Sequence, residues 1–209
     1  MFNLTNPYRA IQVGVILLQG GLTELIDVAP IELLTHVSHK FVDPLPEAVV
    51  PNHIKQQAHE FQFHWVSEEG PALPILDIVI IGATGSGDPS ETEIQYLRQA
   101  YNDSSAFISI CFGFLGPLAA GLLEGKTVTA PRFVLDTYRA QVPQTNWVDK
   151  RWTRDGKLWT SGALLNGLDV MSSFIQQTWP SGKGTLVDMI MTMAAWPSGS
   201  SNYNTTMWT

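Results

Sequence analysis

Ala106-Phe107-Ile108-Ser109-Ile110 is a short, mainly apolar run with no polar–apolar alternation, followed at once by Cys111-Phe112-Gly113 and then by a helical pattern that closes at Glu124-Gly125. A strand without that alternation has no solvent face, which is the signature of a strand buried on both sides of a parallel sheet. Two more runs share that character: Ile11 to Leu18 (IQVGVILL) and Ile75 to Ile81 (ILDIVII). Helical patterns lie between them. Leu25, Val28, Ile31 and Leu34 recur at helical spacing from about Thr23 to His36, with Pro30 implying a kink. Glu91 to Tyr101 is amphipathic, with Ile94, Leu97 and Tyr101 on one face. The second half continues with a short strand at Thr127–Thr129, a helix at Val134–Gln141 and a strand at Trp147–Trp152. Then come a turn at Asp155-Gly156, a strand at Leu158–Ser161, and helices over about 166–178 and 186–194. Strands alternating with helices predict an α/β fold, doubly wound around a mainly parallel central sheet. Ligands of such sheets sit beyond the carboxyl ends of the strands, and the loops after Leu18, after Ile81 and at Cys111 all fall there.

The composition narrows the function. The chain has 209 residues, a net charge of −7 and 44% hydrophobic residues, enough for one sizeable core. We read it as a single domain, with its core over about 10–195 and a tail over 197–209. The acidic balance disfavours nucleic acid and anionic membrane surfaces as partners. No apolar run approaches the ~20 residues of a membrane span. Cys111 is the only cysteine, which excludes an intrachain disulfide and any paired-cysteine zinc site. No metal-ligand spacing, phosphate loop or dinucleotide fingerprint is present, so no cofactor and no metal are expected. The opening MFNLTNPYRA lacks the form of a secretory signal, and a cytoplasmic location is expected.

The sharpest chemical feature is Ser109-Ile110-Cys111-Phe112-Gly113. It has the form of a nucleophile elbow, small-x-nucleophile-x-Gly, with Cys in the nucleophile position. Such a turn sets the thiol at the sheet edge, facing a helix amino end whose free N–H groups favour the thiolate. The sequence therefore predicts a lowered thiol pKa. An inert buried cysteine is the alternative.

From the elbow onward the chain resembles the ThiJ/PfpI superfamily, the class I glutamine amidotransferase-like proteins. The resemblance rests on the elbow, Ala120-Gly121-Leu122-Leu123-Glu124-Gly125-Lys126, Trp152, the Asp155-Gly156 turn, Thr160-Ser161-Gly162 and Gly167-Leu168-Asp169. Val13 to Leu34 and Ile75 to Gly85 match as well. Thr129-Ala130-Pro131-Arg132 and Trp159-Thr160-Ser161-Gly162 resemble a fungal branch with isonitrile hydratase-like members. The resemblance implies a flavodoxin-like sandwich, a homodimer, a small-molecule substrate and Cys111 as nucleophile. It also implies an acidic partner at the first strand–helix junction, where Asp27 and Glu24 are the candidates and Asp27 the preferred one. The loop from Gly82 to Gly85 matches the family's glycine loop. Its N–H groups, with that of Phe112, would form an oxyanion hole, with Gly113 shaping the turn.

Two departures from the family pattern select among its chemistries. Phe112 follows the cysteine where relatives carry His or Thr, and Pro131 stands where many carry His. All five histidines precede residue 65, so no downstream imidazole can pair with Cys111 as in proteases and amidotransferases. A thiolate with one carboxylic acid suits addition to an electrophilic carbon. Phe112, Phe114, Trp152 and Trp159 point to a hydrophobic substrate. The expected function is that of a cysteine-dependent lyase or hydratase acting on an isonitrile-like compound, with a role in fungal secondary metabolism. A glyoxalase III-like or deglycase activity is the first alternative, and a non-catalytic redox-sensing stress protein is the second.

Overall fold

The computed structural model describes residues 1–18, 23–71, 74–83, 88–197 and 199–204. The chain opens with β1 (Ile11–Ile16), followed by α1 (Leu25–Val28), α2 (Glu32–His36), α3 (His39–Val42) and α4 (Asn52–Lys55). β2 (Phe61–Val66), β3 (Ile78–Ile81), α5 (Glu91–Asp103) and β4 (Ala106–Ser109) come next. After the elbow lie α6 (Leu115–Ala119), β5 (Thr127–Val128), α7 (Leu135–Gln141) and β6 (Asn146–Trp147). β7 (Trp152–Asp155), β8 (Leu158–Ser161), α8 (Asn166–Thr178) and α9 (Leu186–Met193) complete the order.

The main sheet has six strands in the order β2-β1-β3-β4-β8-β7. All neighbours are parallel except β7, which runs antiparallel to β8 through a hairpin at Asp155-Gly156. Gly156 has φ 62°, the left-handed conformation that such a tight hairpin needs. Every residue of β1, β3, β4 and β8 is buried, as expected of central strands covered by helices on both faces. One face packs Ile78, Ile108 and Trp159 against Leu33 and Leu34 of α2, Phe174 of α8 and Ile190 of α9. The other packs Val79 and Phe107 against Leu97 and Ala100 of α5 and against Phe114, Leu135 and Trp147. This is the doubly wound arrangement that the alternating pattern predicts. Among the described residues, no helix is long and apolar enough to cross a membrane.

Several local expectations change. The helix read over 23–36 is interrupted, as Pro30 predicts, by a 3₁₀ turn over Ala29–Ile31. The helix read from Phe112 to Leu123 is a 3₁₀ turn over Cys111–Phe114 plus the short α6, with Gly121 at φ 73° just beyond. The strand read over Trp147–Trp152 splits. β6 pairs with β5 in a separate two-stranded sheet, and β7 joins the main one. Between them the backbone is committed elsewhere: Thr129 Oγ1 donates to the Lys150 carbonyl, and the Arg151 N–H donates to the Ser201 carbonyl. That last bond involves the segment read as a tail, whose described part, 199–204, is pinned to the domain.

Candidate active site

β4 delivers Cys111 to the carboxyl edge of the sheet. Ile110 is extended, and its N–H donates to the Ile81 carbonyl at 2.9 Å. Cys111 then turns sharply, with φ 54°. A non-glycine residue held there costs about 1–2 kcal/mol and persists only where its neighbours enforce it. Gly113 supplies that enforcement. Its N–H closes the turn onto the Ile110 carbonyl at 2.8 Å, and it lies so close to β3 that a Cβ would collide with the Ile81 carbonyl oxygen. The small-x-Cys-x-Gly pattern is thus a packing requirement at the junction of β3 and β4.

Asp27 approaches from α1. It is 0% exposed, and its Oδ2 accepts the Ala83 N–H at 2.8 Å. Burial pushes its pKa up to about 6. The Ala83 bond opposes this rise, the Glu24 charge adds to it, and a hydrogen bond with the Cys111 thiol opposes it most weakly. Oδ1 makes no hydrogen bond of full geometry, and neither does the buried Thr23 Oγ1 beside it. Gly82 lets this junction close: a Cβ there would sit 2.7 Å from Thr23 Oγ1 and 2.9 Å from Asp27 Cβ.

Glu24 is exposed just before α1, where its N–H donates to the Ala83 carbonyl at 3.1 Å. Its carboxylate reaches the pair through charge alone, raising both pKa values. Of the two candidate acids, Asp27 is the buried one.

The thiol departs from expectation. Cys111 is only 8% exposed, and its pKa is pushed up to about 11. Burial is the largest cause and the Asp27 charge the next. Hydrogen bonds from the Phe112 and Leu164 amides pull the other way and lose. A 3₁₀ turn of four residues has few aligned peptide dipoles, so the helix amino end cannot offset desolvation. The resting pair therefore holds its proton on sulfur and its charge on the carboxyl.

The expected oxyanion hole is also altered. Ala83, inside the glycine loop, gives its N–H to Asp27. Gly85 lies outside the described residues. Trp159 is 2% exposed and stacks on Trp152 at 6.0 Å and edge-on against Phe174 at 5.5 Å, so it packs the sheet. A largely apolar cavity lined by Leu18, Val66 and Tyr96 lies beyond β1 and β2 and does not include Cys111.

Comparison with known proteins agrees with this architecture. Residues 76–177 match the model of the DJ-1/PfpI family. The chain has the DJ-1/PfpI fold. A ThiJ/PfpI family protein from Pseudomonas syringae superposes with a TM-score of 0.64 at 14% identity, covering 94% of this chain and 78% of that one. DJ-1 from Schizosaccharomyces pombe gives 0.57 at 16% identity, covering 90% of this chain and 100% of that one. An AraC family transcriptional regulator from Pseudomonas putida gives 0.62 at 14% identity, covering 88% and 99%. At these identities the likeness concerns the fold alone, and a regulator among the neighbours means that the fold does not settle catalysis. In sequence, an isonitrile hydratase from Pseudomonas putida is 32% identical over 130 residues, or 59% of this chain and 55% of that protein. The match thus spans about half the length of that relative.

No histidine joins the cysteine of this DJ-1/PfpI fold among the contacts described. His64 bonds Gln12 on the outer strands at 2.7 Å, and His59 packs against Trp179 before β2 begins. His36 and His39 face Glu32 and Asp43. Among the described residues, no three His, Cys, Asp or Glu side chains could hold a metal. Sequence reasoning passed over Thr23 and Leu164. The position of Leu164 after β8, on the ligand-binding edge, was available as a signal. A backbone amide, however, leaves no trace in residue type.

Proposed function

We propose that this protein is a cysteine-dependent hydratase that converts a hydrophobic isonitrile into the N-substituted formamide. The observation that carries the reading is the electrostatically coupled Cys111–Asp27 pair: a buried thiol and a buried carboxyl, both with raised pKa, and no imidazole among the causes of either shift. Such a pair can shuttle one proton back and forth, but it lacks the acid that expels a peptide amine.

The cycle follows from the two positions of that proton. Asp27 takes the thiol proton, and the sulfur forms a bond to the terminal isonitrile carbon. Asp27 then returns the proton to that carbon, leaving a thioimidate in which carbon is bonded to hydrogen, sulfur and the imine nitrogen. Next the carboxylate removes a proton from water as the oxygen adds to carbon, and the nitrogen is protonated. The C–S bond breaks as the carbonyl forms, the sulfur regains a proton, and R–NH–CHO leaves. One water is consumed and the pair is restored.

Exposed apolar side chains on the neighbouring segments favour an apolar substrate. Leu25 (80% exposed) and Ile26 adjoin Asp27, Leu165 (58%) adjoins Leu164, and Phe133 (67%) lies 5.8 Å from Phe112 between ring centroids. These exposed apolar side chains belong to the segments that converge on the sulfur, where a hydrated aldehyde would find few polar partners. A thiol pushed up to about 11 also reacts slowly with peroxide, which weighs against a sensor.

The test is product analysis with an aryl isonitrile and, separately, methylglyoxal. Formamide from the wild type, and none from Cys111→Ala or Asp27→Asn, is the expected result. Lactate without formamide would transfer the site to a glyoxalase III-like reaction.

A further inference from the structure

A largely apolar cavity of about 220 Å³ opens where the carboxyl ends of β1 and β2 meet the amino end of α5. Ile16 and Leu18 beside β1, Val66 at the end of β2 and Tyr96 of α5 supply its apolar lining. The Leu17 N–H donates to the Val66 carbonyl at 2.7 Å, so the two strands stay paired beneath it. The turn after β2 closes one side, with the Gly70 N–H donating to the Ser67 carbonyl at 3.0 Å. An apolar cavity of about 150 Å³ is enough for benzene, so this one has room for a single ring with a short side chain.

Its polar lining carries one sign of charge. Glu68, inside that turn, is exposed, and its Oε2 accepts the Ser90 hydroxyl at 3.1 Å. Glu93 is buried on the α5 side, and its Oε2 accepts the Ser90 N–H at 2.8 Å. Because both carboxylates bond Ser90, they share one end of the cavity. The Ser90 hydroxyl also accepts the Glu93 N–H at 3.1 Å, and Glu91 adds another negative charge to this first turn of α5. The helix amino end here is thus capped and acidic, not open to an anion. Among the described residues lining the cavity, none is Lys, Arg or His. An anion would be repelled, and a neutral molecule would gain nothing from the Glu68 charge. A cation with an apolar body matches both features of the walls.

We propose that this cavity binds a small apolar primary ammonium ion, with its hydrocarbon part against Leu18, Val66 and Tyr96 and its charged nitrogen on the Glu68 carboxylate. An ammonium has three N–H donors, and the Ser67 and Thr92 hydroxyls of the same lining can accept those that Glu68 leaves. The cavity does not include Cys111, so the site is separate from the chemistry proposed above and does not depend on it.

The test uses three probes of similar shape: 2-phenylethylammonium, neutral 2-phenylethanol and anionic 3-phenylpropanoate. Calorimetric titration of the whole protein at pH 7.5 and low salt should show the ammonium binding about tenfold more tightly than either of the others, with the preference shrinking as salt is raised. Methyl resonances of Ile16, Leu18 and Val66 should shift on its addition. Glu68→Gln changes an exposed side chain and should weaken ammonium binding about fivefold while leaving 2-phenylethanol unaffected, an outcome that a merely loosened turn would not give. Thr92→Lys, also at an exposed position, places a cation in the same lining and should weaken the ammonium at least as much. Cys111 is the single cysteine, and its alkylation by iodoacetamide should proceed at the same rate with the cavity filled. Equal affinity for the three probes, equal losses for ammonium and alcohol in Glu68→Gln, or methyl shifts that avoid the cavity would overturn the assignment. Protection of Cys111 by the ammonium would overturn it too, by placing the probe at the sulfur.

Discussion

Replacing Asp27 by Asn should stabilise this protein while disabling it. Asp27 rises from 3.8 to about 6 in the folded state, chiefly because burial penalises its charge. A rise of about two units is worth about 3 kcal/mol at ~1.4 kcal/mol per unit. Between pH 3.8 and 6 the native protein holds more protons than the unfolded chain, so stability falls as pH rises through that window. By pH 7 the whole penalty is present. Asn carries no charge, and its Oδ1 can still accept the Ala83 N–H that Asp27 now holds at 2.8 Å. Allowing for relaxation around the carboxylate, the gain at pH 7.5 should be about 2 kcal/mol, or about 4–8 °C in Tm for a chain of this size. At pH 3.5 the carboxyl is largely neutral in both states, and the two proteins should melt within about 2 °C of each other. Alkylation of Cys111 should quicken in the same variant, because one of the charges that raises the thiol pKa is gone, while hydration stops for lack of a proton acceptor. Thermal melts of both proteins at the two pH values decide the matter. A variant that is less stable than wild type at pH 7.5 and equal to it at pH 3.5 would mean that the carboxylate is well paired, and the desolvation argument would be refuted.

Other consequences can be checked alongside. The pH profile of kcat/KM should climb through about 6 as Asp27 becomes able to accept the thiol proton, and should fall only as pH nears 11, where the pair has no proton left for carbon. Gly113→Ala should destabilise the fold by about 3 kcal/mol or more in urea denaturation, because its Cβ meets the backbone of β3. Gly82→Ala presses on the side chains of Thr23 and Asp27 instead, so it should cost about 1–2 kcal/mol while activity falls much further. Phe133→Ser with Leu165→Ser, both at exposed positions, should leave stability within about 1 kcal/mol of wild type. The same pair should raise KM for an aryl isonitrile about fivefold, as loss of a modest apolar contact would.

The elements most legible in the sequence are those whose residues are sorted by burial. Mainly apolar strands at 11–16, 78–81 and 106–109 are best accommodated inside a parallel sheet covered on both faces. The helix read from Glu91 begins there because Ser90 and Glu93 form a capping box. Pro30 marks the break that occurs. Legibility fails where a segment's partner is distant in the chain. Nothing local in Trp147–Trp152 shows that its backbone turns to meet Thr129 and Ser201. Residues 199–203 look like part of a tail because their polar composition holds no core, yet single bonds to Asp169, Asn166 and Arg151 fasten them. The helix after the elbow was read too long because apolar spacing persists through turns that Gly121 bends away.

Residue types alone determined that a lone cysteine would stand at a strand–helix turn on the edge of an α/β sheet, without a downstream histidine, because those are properties of local pattern and count. Tertiary structure alone decided that Asp27 is buried on the Ala83 N–H while Glu24, just before α1, stays exposed, because burial depends on what packs against each residue in space. It decided the protonation of the pair as well, because desolvation and charge depend on what surrounds a group in space. The sequence pattern favoured an acidic thiol; the packing made it a weakly acidic one beside a carboxyl ready to take its proton.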